Sequence, residues 1–126
     1  MTRYYDTIAE FERDGFTVIV DKTYEDMHPR DTFDDSCHNM DEILRKIDNG
    51  TYEWFMLRVR VLVEGLELGS AYLGGCLYED PREVLTDGTA EDFIDEAMKE
   101  AKAQVYRLSK KFAELSEQVD RENSFA

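Results

Sequence analysis

Few residues in this 126-residue chain could do chemistry by type and spacing. Cys37 and His38 are neighbours, with Asp34 and Asp35 just before them and His28 further back. A thiolate nucleophile needs a base placed beside it in space, which a sequence neighbour rarely supplies. A zinc site built from Cys37, His38 and His28 would lack any CxxC or HxxxH pair. The run Asp31 to Asp35 has carboxylates enough for calcium, yet it lacks the alternating ligand spacing, central Gly and closing Glu of an EF-hand loop. Gly74-Gly75 is followed by no Lys and opens no helix, so it is not a phosphate loop. No catalytic, metal-binding or cofactor-binding residue is assigned on these grounds, and a non-enzyme is expected.

Charge is more informative. The formal net charge is −14, and two short blocks hold nearly all of it. Asp21 to Glu42 has 8 acids and 2 bases, net −6; Glu79 to Glu100 has 9 acids and 2 bases, net −7. The remainder has 12 acids and 11 bases, net −1. Bases gather instead at Arg58, Arg60 and along Lys99 to Lys111. Direct nucleic-acid binding is disfavoured, because the chain repels phosphates. Acidic blocks on a rigid scaffold suit a basic partner. Duplex DNA carries about one charge per 1.7 Å of its axis. A helix bearing Glu91, Asp92, Asp95 and Glu96 places four carboxylates within about 9 Å. With Asp31, Asp34, Asp35, Asp41 and Glu42 from the first block, these are the candidate partner-binding residues. The reading requires that both blocks form one patch after folding.

Stepping along the elements that would carry them, Arg3 to Asp14 reads as a first helix, with Tyr4, Ile8 and Phe11 on one face and Gly15 as its stop. Phe16 to Asp21 reads as a first strand. Lys22 to His38 reads as a long loop, of a kind that is often functional. Asn39 and Glu42 form a capping box for a short helix whose apolar face is Met40, Ile43, Leu44 and Ile47. Tyr52 to Val63 is the strongest strand, and Glu64-Gly65 reads as a two-residue hairpin turn. That turn pairs Val63 with Leu66, Val61 with Leu68, Val59 with Ser70 and Leu57 with Tyr72. Trp54, Met56 and Leu73 then form an apolar sheet patch on the opposite face. Gly75, beside Trp54, would leave room for the indole. Pro81 starts a short helix to Leu85.

The chain is organised around its last helix. Ile94, Met98, Ala101, Val105, Leu108, Phe112, Leu115 and Val119 recur in alternating steps of four and three, a heptad rhythm without Gly or Pro. Thr89 is its expected cap, with Asp92 three places on. From Ala90 to Val119 the helix would span about 45 Å, against a domain diameter of about 35 Å. Its last turns need a cover: the chain's own sheet, the N-terminal helix or a second copy. The expectation is one α+β domain over residues 1–126, a three-stranded antiparallel sheet covered by the long C-terminal helix with two shorter helices, and residues 122–126 frayed.

No apolar run reaches membrane-spanning length and no N-terminal signal peptide is visible. Two widely separated cysteines demand no disulfide, so a cytoplasmic protein is expected.

The stretch Glu67 to Pro81, ELGSAYLGGCLYEDP, with Tyr52-Glu53-Trp54-Phe55 and Val59 to Val63 before it, resembles a group of small acidic bacteriophage and prophage proteins. The resemblance covers about residues 50–100 and carries no catalytic residues across. It implies phage origin and a sheet-plus-helix core. By analogy with phage inhibitors of host defence, including anti-CRISPR and antirestriction proteins, it implies an inhibitor. The expected function is therefore inhibition of a bacterial nucleic-acid-handling protein, a CRISPR effector or restriction enzyme in the host cytoplasm, through an acidic, nucleic-acid-mimicking surface. The alternative is a protein-interaction or dimerisation module acting through the long helix and the apolar sheet patch, with a homodimer as one outcome.

Overall fold

The computed structural model describes residues 3–33 and 39–123. Strands β1 (Asp6–Arg13), β2 (Phe16–Tyr24), β3 (Glu53–Val63) and β4 (Leu66–Tyr78) form one antiparallel sheet in the order β1-β2-β3-β4. Helices α1 (Pro29–Thr32) and α2 (Met40–Asp48) lie between β2 and β3 in the chain. A 3-10 turn spans Pro81–Leu85, and α3 runs Thr89–Asn123. The class is α+β with a long C-terminal helix, but the sheet has four strands rather than three.

The additional strand is β1, which stands where a first helix was expected. Ala9, Phe11 and Arg13 are half-buried while Glu10 and Glu12 are exposed, a period of two. The register slips between Thr7 and Ala9, leaving Ile8 as the extra residue of a bulge. That extra residue makes Tyr4, Ile8 and Phe11 imitate helical spacing. Asp14 and Gly15, at φ 53 and 85, turn the chain so that Arg13 pairs with Phe16. Asp-Gly between two such runs is the strongest short hairpin signal.

Glu64-Gly65 turns β3 into β4 as expected, at φ 50 and 79, and Val63 pairs with Leu66. Beyond that the expected register fails. A bulge at Leu68 shifts the pairing, so Val61 meets Gly69, Val59 meets Ala71 and Leu57 meets Leu73. A one-residue slip sends every later side chain to the other face. Ala71 and Leu73 thereby join the core, and Ser70 and Tyr72 leave it. The expected Trp54, Met56, Leu73 patch therefore does not form, because Leu73 lies on the opposite side.

The core is the inner face of the sheet under α3. Val18, Val20, Phe55, Leu57, Val59 and Val61 pack with Ala90, Ile94, Ala97, Met98 and Ala101. Helix and sheet approach closely at one point: a Cβ on Gly69 would lie 2.1 Å from the Ala97 carbonyl oxygen and 2.9 Å from the Ala101 amide nitrogen. Every buried residue of α3 falls between Ala90 and Ala101. Beyond it Val105, Phe112, Leu115 and Val119 are 41–54% exposed. The expected N-terminal helix that could have covered them is β1. Asn123 is still helical, and 124–126 of the expected frayed end lie outside the described residues.

Two expected caps are replaced. Asn39 takes a left-handed conformation with no side-chain cap bond. At α3 the carboxylate of Asp87 accepts from the Thr89 amide at 2.9 Å, and Gly88 (φ 92) makes the turn. No helix among the described residues is long and apolar enough to cross a membrane.

Replacing Gly69 with Ala forces backbone apart and is expected to cost about 3 kcal/mol or more, the upper end of overpacking. Gly74→Ala meets the movable Glu25 carboxylate, 2.8 Å away, and is expected to cost less than about 1.5 kcal/mol. Urea unfolding followed by Trp54 fluorescence checks both values.

Candidate functional site

The candidate acidic residues fall into two groups separated by the sheet. Trp54 alternates with Phe55, so its indole lies on the outer face, away from α3. There the segment after β2 folds over it. Trp54 Nε1 donates to the Met27 carbonyl at 2.8 Å, and the Phe33 ring lies 5.7 Å from the indole. Gly75 leaves the expected room: a Cβ there would come within 3.1 Å of Thr32 and 3.3 Å of Trp54. Asp31 belongs to α1 in this covering segment, and Asp41 of α2 is tied to it by an ion pair with Arg30 at 2.5 Å. Glu91, Asp92, Asp95 and Glu96 start α3, on the inner face. Asp34, Asp35, Cys37 and His38 lie outside the described residues. Among those described, Asp31 and Asp41 go with the outer-face segment and the α3 acids with the inner face.

The first group is largely engaged by its own chain. Asp21, only 1% exposed, accepts two bonds from Arg58, from Nε at 2.8 Å and from Nη2 at 2.6 Å. Arg60 approaches the same carboxylate at 3.5 Å. The Tyr5 ring lies 3.4 Å from the Arg58 guanidinium carbon, completing a cation–π sandwich with the ion pair. Hydrogen bonding to Asp21 holds the Arg58 guanidinium above its ordinary pKa, against desolvation. Glu25 accepts from the Gly75 amide at 2.8 Å. Asp26 pairs with Arg3 at 2.6 Å, and Glu42 with Lys46 at 3.5 Å. Of the first block's described acids only Asp31 has neither an ion pair nor a side-chain hydrogen bond.

The second group is freer. Glu91 pairs with Arg13 at 2.6 Å and is the main cause raising that guanidinium's pKa, with Asp95 adding to the field. Asp87 accepts from the Tyr78 hydroxyl at 2.5 Å, which lowers the Asp87 pKa. Asp92, Asp95 and Glu96 are exposed and carry no ion pair. They occupy adjoining turns at the positive end of the α3 dipole, where carboxylates are favoured. What remains of the expected surface is therefore an acidic helix start, with Glu83 on the 3-10 turn before it in the chain.

Sequence reasoning missed the buried Asp21–Arg58 pair, counting Asp21 with the open acids and Arg58 with the bases. The two are cross-strand neighbours in β2 and β3, which only the strand order discloses. An apolar cleft of about 450 Å³ lies where α3 leaves the sheet, lined by Val63, Leu66, Leu68, Val105, Leu108 and Phe112. Among the described residues no group of three His, Cys, Asp or Glu side chains could hold a metal ion. Cys76 is buried, and desolvation pushes its thiol up to about 11 from 9.0, against an opposing backbone hydrogen bond at Leu57.

No family model, curated protein or solved structure matches the chain.

Asp21→Ala leaves the half-buried Arg58 guanidinium without its carboxylate, with an expected cost of about 1–3 kcal/mol. Asp21→Leu combined with Arg58→Met should recover much of it, as read by urea unfolding. The Cys76 thiol stays neutral in the fold where the unfolded chain would ionise it. This contribution to stability is whole below pH 9.0 and is lost as pH rises through about 11. The stability gap between the native chain and Cys76→Ala should narrow across that window; a constant gap contradicts it.

Proposed function

We propose that this protein is a non-catalytic inhibitor, of the kind phages direct at bacterial defence, acting in the host cytoplasm. Its target is a basic, nucleic-acid-handling protein such as a CRISPR effector or a restriction enzyme. The start of α3 docks in the groove that would otherwise hold nucleic acid, and its carboxylates stand where phosphates would. The observation that carries this reading is that Asp92, Asp95 and Glu96 are exposed on adjoining turns and carry no ion pair. Most acids of the first group are already engaged by Arg3, Arg30, Lys46, Arg58 and backbone amides. An acid without an internal cation keeps its field for a partner and steers association. The contact surface is therefore the α3 start, and the outer-face group is secondary to it.

The resemblance to small acidic phage proteins supplies the class of target, and the charge supplies the chemistry of recognition. Binding of this kind weakens steeply with salt.

Affinity capture from a bacterial lysate at low and high salt tests this. Capture of a basic nucleic-acid-binding protein at low salt, lost at high salt, is expected. Asp92→Asn, Asp95→Asn and Glu96→Gln together should weaken binding of that protein at least about tenfold, one order in affinity. Asp41→Asn with Glu42→Gln should change it far less. Full binding by the triple variant rules the α3 start out.

A further inference from the structure

The described residues cover little of α3 beyond Ala101. Val105, Phe112, Leu115 and Val119 are 41–54% exposed, in steps that continue the buried stripe of Ile94, Met98 and Ala101. A lone helix of this length gains little from backbone bonds in water, and its stability comes from packing an apolar face. The alternating three- and four-residue spacing is that of a two-helix seam.

Charge along the tail identifies what fits the seam. Residues 105–111 carry Arg107, Lys110 and Lys111 and no acid, net +3. Residues 113–122 carry Glu114, Glu117, Asp120 and Glu122 against Arg121, net −3. Two copies laid parallel would set +3 on +3 and −3 on −3. Laid antiparallel, each basic segment faces an acidic one. The antiparallel arrangement also puts the sheet-bearing bodies, rich in unbalanced carboxylates, at opposite ends.

We propose that α3 forms an antiparallel homodimer through residues 105–119. Phe112 lies opposite Leu115 of the second copy, and Leu108 opposite its Val119. The apolar cleft between the β3–β4 turn and α3, lined by Val63, Leu66 and Leu68, then receives the far end of the second copy's helix. The seam and the cleft form one surface, so the cleft is closed by the same contact that covers the tail. This inference does not depend on the target assigned to the acidic start of α3, which lies on the other half of the helix.

Sedimentation velocity on the full chain is the first test, with a dimer at micromolar concentration expected. Leu108→Glu with Leu115→Glu, outside the buried part of α3, should give a folded monomer by circular dichroism and sedimentation. A native chain that stays monomeric at high micromolar concentration overturns the proposal. Direction is tested in a Cys37→Ser background by mixing Ser109→Cys and Ser116→Cys chains under mild oxidation. Antiparallel pairing yields the mixed disulfide between the two variants. Predominant cross-linking of each variant to itself shows parallel helices and overturns the stated geometry. Because neither readout involves a captured protein, failure here is separable from failure of the inhibitor reading.

Discussion

The closeness of α3 to β4 governs the rest of the structure. At Gly69 the strand backbone comes so near Ala97 that a single methyl group would overlap its carbonyl oxygen. Only small residues permit this: Gly69 on the strand, Ala97 and Ala101 on the helix. The contact sets where α3 crosses the sheet and therefore how much of it the sheet can cover. Ala90 to Ala101 fall inside the crossing and are buried with Ile94 and Met98. Past Ala101 the straight helix, rising about 1.5 Å per residue, runs progressively beyond the sheet: Leu108 is still half-buried, while Val105, Phe112, Leu115 and Val119 are exposed. The tail is exposed because the crossing point is fixed, while its apolar repeat continues unchanged.

The sheet also divides the charge. Acids near β2 fall where their own chain has cations and amides to offer. Asp21 is the extreme case, buried between Arg58 and Arg60 on the outer face. Such a pair contributes register as much as stability, since misplacing it by one residue would bury a lone charge. Glu25 and Asp26 hold the covering segment to Gly75 and Arg3. The start of α3 has one such neighbour, Arg13 to Glu91, and the remaining carboxylates there stay open. Formal charge in the sequence thus overstates the free charge on one side of the molecule and represents it better on the other.

Much of this was legible from residue types alone. The alternation in β3, the Glu64-Gly65 turn, the room Gly75 leaves for Trp54 and the start and most of the length of α3 follow from periodicity and glycine placement. The failures share a cause. One bulge residue, Ile8, gave β1 a helical spacing, and another, Leu68, moved Leu73 from an expected outer patch into the core. A bulge adds a residue without changing composition, so period counting cannot see it. Asp14-Gly15 was the available correction for β1, since its spacing between two runs fits a hairpin better than a helix stop. The engagement of Asp21 was not legible, because cross-strand pairing depends on the order of strands. The division of the described acids between two faces was not legible for the same reason: sequence gives the charges but not which side of the sheet receives them.

On the proposed dimer, one continuous helix has two halves with different covers, the sheet for the first and a second copy for the other. Amide hydrogen exchange along α3, measured at low and high protein concentration, addresses this most directly. Residues 90–101 should be equally protected at both concentrations, while 105–119 gain protection as concentration rises. Fast exchange of 105–119 at both concentrations would contradict the claim and leave the tail a bare, fraying helix.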